Sequence, residues 1–105
     1  MTIYRPIIAR DILSIVLHHY NITIEDMHSD RRTSKHYDIT SAREAFAWLC
    51  RKYTKTSYPD IAEVGGCRSH SSVIAQHRRA IAKHAADPGI YAEMEQKVLN
   101  GRIAA

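Results

Sequence analysis

A pair of glycines, Gly65 and Gly66, divides one region of the chain into two helical segments. Residues 57–64 have the polar first residue and early proline of a short helix. After the glycines, a second helical pattern opens with serines beside Arg68 and His70. Two helices joined by a short turn that contains glycine are typical of a helix-turn-helix. Because Ser, His and Arg at the tip of the second helix can donate to base edges in a major groove, this region predicts sequence-specific binding to double-stranded DNA.

Apolar residues recur three and four positions apart along most of the chain, and no segment alternates as a β-strand does. The pattern predicts an all-α fold of about six helices that contains the helix-turn-helix, within one domain over residues 1–105. A polar segment, residues 29–38, has no apolar period and is expected to be a loop. The expected helices cover residues 8–20, 23–28, 41–53, 57–65, 69–86 and 90–100.

Local capping signals set most of these boundaries. Asn21 is expected to end the first helix, and Thr23 to open the second. The sequence Ser41-Ala-Arg-Glu44 has the form of a capping box and predicts the start of the third helix. Trp48 is expected to cover a seam between helices. The other side chains expected to face the core are Ile8, Ile12, Ile15, Val16, Leu17, Ala42, Ala45, Phe46, Leu49, Cys50, Val73, Ile74, Ile81, Tyr91, Met94 and Val98.

Positive charge is concentrated in the middle of the chain. The whole sequence has 15 Lys and Arg against 11 Asp and Glu, a formal net charge of +4. Eleven of the basic residues but only four of the acidic ones lie between Arg31 and Lys83, so the two ends together are acidic. Ordinary solvated helix faces would mix the two signs more evenly, and the segregation instead favours a polyanionic partner.

Other classes of protein are not favoured. Cys50 and Cys67 form no paired motif, which indicates a reducing compartment. The chain has no membrane-spanning apolar stretch and no signal-peptide pattern. His70, His77 and His84 recur every seven residues, so neighbours would be about 10 Å apart along a helix, too far to share a zinc ion. No metal, cofactor or catalytic site is therefore expected.

Four stretches together resemble the C-terminal DNA-binding domain of the bacterial replication initiator DnaA. They are residues 20–27, 29–32, 42–49 and 57–73, within a resemblance that runs from about Ile8 to Ile81. The strongest part is Arg68-Ser-His-Ser-Ser-Val73, which is similar to the family's Arg-Asp-His-Thr-Thr-Val signature. The resemblance implies a Trp-repressor-like helix-turn-helix over residues 57–86. It also implies that the recognition helix, from about Ser69, enters the major groove of an A·T-rich nonamer, the DnaA box, while a basic loop reaches the minor groove.

The chain departs from the family pattern at positions on the expected reading surface. Ser69 stands where the family has Asp, and Gly65 where it usually has Phe. Glu44 replaces a common Gln, and Ala75 replaces a His found in some members. The sequence has no glycine-rich phosphate loop, so the resemblance covers the DNA-reading part and implies neither an ATPase nor a nucleotide cofactor.

The candidate DNA-binding residues form three groups. The tip of the recognition helix can contact bases or phosphates, with Gln76 and Arg79 one and two turns further along. The paired arginines of the polar loop suit a narrow minor groove, as the resemblance implies. Arg43, expected near the start of its helix, suits a phosphate. The full set is Arg31, Arg32, Lys35, Arg43, Arg68, Ser69, His70, Ser71, Ser72, Gln76 and Arg79, with Lys52, Lys55 and Arg78 as weaker phosphate candidates.

The sequence therefore predicts a cytoplasmic, nucleoid-associated protein that binds double-stranded DNA at a DnaA-box-like or related site. It is expected to regulate replication initiation or transcription, with a protein partner from either machinery as a further expectation. The alternative is a protein-interaction adaptor that keeps the fold without specific DNA recognition. Under that alternative, its function would have moved to the acidic terminal helices.

Overall fold

The computed structural model describes residues 6–28, 36–66 and 69–101. Within these ranges the chain forms six helices and no strand, so the all-α prediction is confirmed. No helix in the same ranges is long and apolar enough to cross a membrane. The helices are α1 (Ala9–Tyr20), α2 (Ile24–His28), α3 (His36–Tyr53), α4 (Tyr58–Gly65), α5 (His70–Ala86) and α6 (Ala92–Gly101).

Helix α3 is the centre of the fold, because it packs against α1, α2, α4 and α5. Its predicted inward residues are all buried: Ala42, Ala45, Phe46, Leu49 and Cys50. Helix α6 begins two residues later than predicted and packs on α1. Three residues of this region were predicted to face the core, and all three are buried: Tyr91 just before the helix, and Met94 and Val98 within it. Trp48 lies at the seam as expected, with its ring centroid 4.9 Å from that of Tyr91 and 4.8 Å from that of His84.

Short-range hydrogen bonds fix the helix ends that the sequence predicts. Asn21 ends α1 in the left-handed region, with φ of 54°. At the start of α2, the Asp26 N–H donates to Thr23 Oγ1 at 3.1 Å, and the Thr23 N–H donates to the Asp26 carboxylate at 3.0 Å. Ser57 and Ser69 are the N-caps of α4 and α5. Each serine side chain accepts the backbone N–H three residues further on, which satisfies one of the free donors of a helix start.

The start of α3 differs from the prediction. The helix begins at His36 rather than Ser41, so residues 36–38 of the expected loop are helical. The predicted capping box is wrong, because the carboxylate of Glu44 is buried and accepts a hydrogen bond from α5. Ile39 is also buried and extends the inward stripe of α3 by one turn. That tertiary contact explains why a polar segment continues as a helix.

Two isoleucines that were predicted to face the core are about half exposed. Ile8 is 48% exposed and precedes α1 as its N-cap, where its N–H donates to the Asp11 carboxylate at 2.9 Å. Ile81 is 49% exposed. Helix α5 instead buries Val73 and the small Ala80, seven residues apart on the same side. Because Ala80 faces inward, Ile81 is rotated about 100° around the helix and lies at the edge of the contact.

Candidate nucleic-acid interface

The turn between α4 and α5 depends on two glycines for different reasons. At Gly65, a Cβ atom would lie 2.8 Å from Cε2 of Phe46, so any side chain would have to displace a core ring. Gly66 is the C-cap of α4 with φ of 74°, a left-handed conformation that glycine adopts without strain. A Cβ at Gly66 would also collide with the ring of His28, the last residue of α2. The pair therefore lets α4 lie close to α3 and α2 before the chain enters α5.

The start of α5 presents a cluster of exposed polar side chains. Ser69, His70, Ser71 and Ser72 are all exposed. Ser69 Oγ accepts the Ser72 N–H at 3.3 Å and lies 3.3 Å from Ser72 Oγ, so these two serines also serve as a cap. The side chains of His70 and Ser71 have no hydrogen-bond partner among the described residues. Together with the partial positive charge of the helix N-terminus, they form a surface suited to an anionic ligand with hydrogen-bonding groups.

The outward face of α5 continues this surface along the helix. Residues 71, 75, 78 and 82 are three and four positions apart and therefore share one side. Arg78 is exposed and has no partner in the part of the chain that the structure describes. The sequence ranked it only as a weaker phosphate candidate, although its spacing from Ser71 places it on the same face. Gln76 is half-buried at the border between this face and α3.

Arg43 is placed differently from the sequence-based expectation. It is the eighth residue of α3 rather than a residue of the first turn, and its side chain is half-buried. Its Nε and Nη2 atoms donate to the carbonyl oxygen of Met27, at 3.2 and 2.6 Å. That oxygen belongs to the last turn of α2, where carbonyl groups lack helical partners. Arg43 therefore fastens the end of α2 to α3, and its contact with a phosphate stays a prediction.

Four predicted DNA-binding residues lie outside the described residues: Arg31, Arg32, Lys35 and Arg68. The first three fall in the interval between α2 and α3, and Arg68 falls between Gly66 and the cap Ser69. The described residues that precede these two intervals, His28 and Gly66, are in contact. The two predicted basic segments therefore leave the described core at neighbouring points.

Glu44 was predicted to belong to a capping box, but its carboxylate is bonded to side chains of α5. Its side chain is 2% exposed, and it is the one buried charged residue within the described ranges. Arg79 Nε donates to Glu44 Oε2 at 3.0 Å, and Lys83 Nζ donates to Glu44 Oε1. The two cations are one helical turn apart on α5. A charged residue inside the apolar run from Ala42 to Cys50 was the available signal, since a buried carboxylate needs a cation from another element.

A second charged cluster lies between α3 and α6. The carboxylate oxygen Oε1 of Glu95 accepts hydrogen bonds from Lys52 Nζ at 2.5 Å and from Tyr53 Oη at 3.0 Å. The Lys52 ammonium also lies 4.8 Å from the ring centroid of Trp48. The hydrogen bond to Glu95 is the main reason why the pKa of Lys52 is raised. This contact employs the ammonium of Lys52 within the fold, whereas Lys55 is exposed.

A third polar contact joins α4 to α5 behind the outward face. The Tyr58 hydroxyl and His77 Nδ1 are 3.0 Å apart, and the Arg51 guanidinium lies 4.4 Å from the centroid of the Tyr58 ring. Burial, and then the charge of Arg51, lowers the pKa of His77 and favours its neutral form. Within the described ranges, no three His, Cys, Asp or Glu side chains are grouped to hold a metal ion.

The sequence is similar to known proteins of one family. A family model described as the bacterial dnaA protein helix-turn-helix matches residues 9–80. The chromosomal replication initiator protein DnaA of Nitrosomonas eutropha is 34% identical over 86 residues, which are 82% of this chain and 18% of that protein. The protein of the same name from Geobacter sp. strain M21 is 30% identical over 91 residues, or 87% and 19% of the two chains. That from Geobacter metallireducens is 39% identical over 59 residues, or 56% and 12%.

The chain thus spans less than a fifth of the length of these relatives. The family match begins at the first residue of α1 and ends within α5, so it includes the glycine turn and the exposed start of α5. Because it covers well over half of the chain, this protein belongs to the bacterial DnaA helix-turn-helix family.

Proposed function

We propose that this chain binds double-stranded DNA and recognises a DnaA-box-like or related sequence. The observation that carries the proposal is the exposed polar start of α5, which follows a glycine turn of tightly constrained geometry. In this proposal residues 57–86 are the helix-turn-helix, and α5 is the recognition helix from its cap Ser69 onward. His70, Ser71 and Ser72 contact base edges or phosphates in the major groove.

Further contacts come from both sides of this helix tip. Arg78 on the outward face of α5, and Arg79 beside that face, reach phosphates or a guanine, and Gln76 reads an adenine at its edge. Arginine side chains of the predicted loop enter a narrow minor groove, where A·T tracts concentrate negative potential. In this proposal the loop and turn residues Arg31, Arg32, Lys35 and Arg68 flank the recognition helix, since His28 and Gly66 are in contact.

The biological role follows from occupancy of such sites. The relatives are named chromosomal replication initiator proteins, and this chain corresponds to less than a fifth of their length. A protein that occupies the same or related sites would regulate replication initiation or transcription by competing for them. Such a role needs no catalytic step and places the protein at the nucleoid in the cytoplasm, with a replication or transcription protein as a further partner.

Selection from a pool of random double-stranded DNA tests this proposal. The native chain should enrich one A·T-rich motif. A variant with His70→Ala and Ser71→Ala, which keeps the Ser69 cap, should lose information at adjacent positions of that motif. Lys52→Gln at the α3–α6 contact is a matched control and should enrich the native motif. If the native chain enriches no motif, the proposal is wrong, and an adaptor role without sequence recognition would account for the retained fold.

A further inference from the structure

Arg79, which lies beside the outward face of α5 on the side toward α3, is held by a buried carboxylate from another helix. Glu44 of α3 is 2% exposed, and its Oε2 atom accepts a hydrogen bond from Arg79 Nε at 3.0 Å. The Arg79 side chain is nevertheless 56% exposed. The carboxylate therefore binds the inner edge of the guanidinium, while the remainder of the group is open to solvent.

A guanidinium carries five N–H donors in a rigid planar fork. The bond to Glu44 employs the one on Nε, and the four N–H donors on the two Nη atoms have no partner within the described residues. A pair of Nη donors is the edge that binds a phosphate or the O6 and N7 atoms of a guanine. The observed geometry therefore leaves the part of Arg79 that recognises nucleic acid available.

Lys83 is the second cation of the cluster, and it prevents the carboxylate of Glu44 from neutralising the charge of Arg79. Lys83 Nζ donates to the other oxygen, Oε1, and its side chain is 39% exposed. Two cations and one carboxylate leave a net charge of +1 at this contact. A buried carboxylate without such partners would be costly, so both cations explain how Glu44 can be accommodated between α3 and α5. The cluster thus supports the position of Arg79 without removing its attraction for an anion.

We propose that Glu44 is a positioning residue for DNA binding, which holds Arg79 so that its Nη edge faces the nucleic acid. This inference rests on the proposed function, because it assigns a contact to the same surface. A free arginine side chain loses rotamer entropy when it is immobilised. Restraint by Glu44 in the DNA-free protein reduces the part of that cost which falls on binding. The contribution of Arg79 to affinity therefore depends on Glu44.

A double-mutant cycle measures this dependence on the motif selected by the native chain. Arg79→Ala should weaken binding by about 5- to 150-fold in the native background, as expected for a base or phosphate contact of an arginine. In a Glu44→Met background, which has no acceptor for the Arg79 Nε–H, the same substitution should have an effect at least about fivefold smaller. Lys83→Met is the matched control, because it removes the other partner of the carboxylate and leaves the Arg79 bond. In that background Arg79→Ala should have its full effect.

A measurement on the native protein covers the case in which Glu44→Met does not fold, which circular dichroism would reveal. The ¹⁵N relaxation of arginine Nε groups should show Arg79 restrained in the DNA-free protein, and Arg78 mobile as the internal reference. Equal mobility of the two arginines would overturn the inference, as would an equal effect of Arg79→Ala in the native and Glu44→Met backgrounds. If the native chain binds no DNA, the proposed function fails together with the inference. Binding with equal factors in the two backgrounds defeats the inference alone.

Discussion

Helix α3 takes part in two carboxylate–cation clusters, and the two use their charges differently. Toward α5, one buried carboxylate, Glu44, is bonded to two cations that remain partly exposed. Toward α6, one carboxylate, Glu95, is bonded to one cation, Lys52. The first cluster has a net charge of +1 beside the proposed DNA-binding surface, and the second is neutral. Ion pairs of similar appearance can therefore either preserve positive charge for a ligand or employ it within the fold.

The largest expected effect of this difference is on the salt dependence of DNA binding. If about five phosphates are contacted, the slope of log K against log salt should be about −4 to −5. Arg79→Gln, in the α5 cluster, should reduce the magnitude of the slope by about 0.9, since one phosphate contact would be lost. Lys52→Gln, in the α6 cluster, should leave it unchanged. Titrations at several salt concentrations measure all three slopes, and a slope near zero for the native chain would contradict DNA binding.

The next effect concerns discrimination between sequences at the start of α5. His70→Ala should reduce the preference for the selected motif over random DNA by about 5- to 150-fold, the equivalent of one base-edge contact of about 1–3 kcal/mol. Binding to random DNA should change much less, because it depends on phosphates. Competition titrations with both DNAs provide the ratio. Equal losses on the two DNAs would make His70 a backbone contact instead.

Arg43 provides a third polar contact on α3, and its replacement should affect stability first. Arg43→Met removes both hydrogen bonds to the Met27 carbonyl, at 3.2 and 2.6 Å. The expected loss in the free energy of unfolding is about 1–2 kcal/mol, measured by urea denaturation. If Arg43 also contacts a phosphate, binding to the selected motif and to random DNA should fall by the same factor. If the folded variant binds both DNAs as tightly as the native chain does, Arg43 has only the structural role.

The comparison of the clusters also explains which features the sequence could predict. Ser57, Thr23 and Asn21 act on backbone groups within three or four residues, so their capping roles were predicted correctly. Glu44 lies three residues after Ser41, the spacing of a capping box, but its hydrogen-bond partners are on α5.

The carboxylate of Glu44 is held by Arg79 and Lys83, which lie 35 and 39 positions further along the chain. A local sequence pattern does not contain such contacts. The exposure of Ile81 was mispredicted for a related reason. Its burial depends on how α5 is rotated against α3, and the inward position of the small Ala80 sets that rotation. Local signals therefore specified the helices, while the partners of the charged residues required the tertiary structure.

The smallest expected effect is on stability at low pH, and it concerns the neutral cluster. Burial acts to raise the pKa of Glu95, but hydrogen bonds from Lys52 and Tyr53 and the charge of Lys52 outweigh it, so the pKa is lowered overall. A carboxyl group whose pKa is lower in the folded state than in the unfolded state stabilises the fold above the unfolded value. That stabilisation is lost as the pH falls through the folded value. The expected window therefore lies below the ordinary glutamate value of 4.5.

Urea denaturation of the native chain and of Glu95→Gln should differ by less than about 1 kcal/mol at about pH 6, because the Lys52 partner is half exposed. The difference should vanish as the carboxylate is protonated. Glu93→Gln, on the same helix, is the control for the loss of one negative charge and should show little change, because its side chain is 72% exposed and lies 3.9 Å from its nearest cationic partner, His19 Nδ1. If the Glu95→Gln difference stayed constant down to low pH, packing of the side chain rather than its ionisation would account for it. The α6 cluster would then owe its stability to shape instead of charge, and its contrast with the Glu44 cluster would be one of geometry.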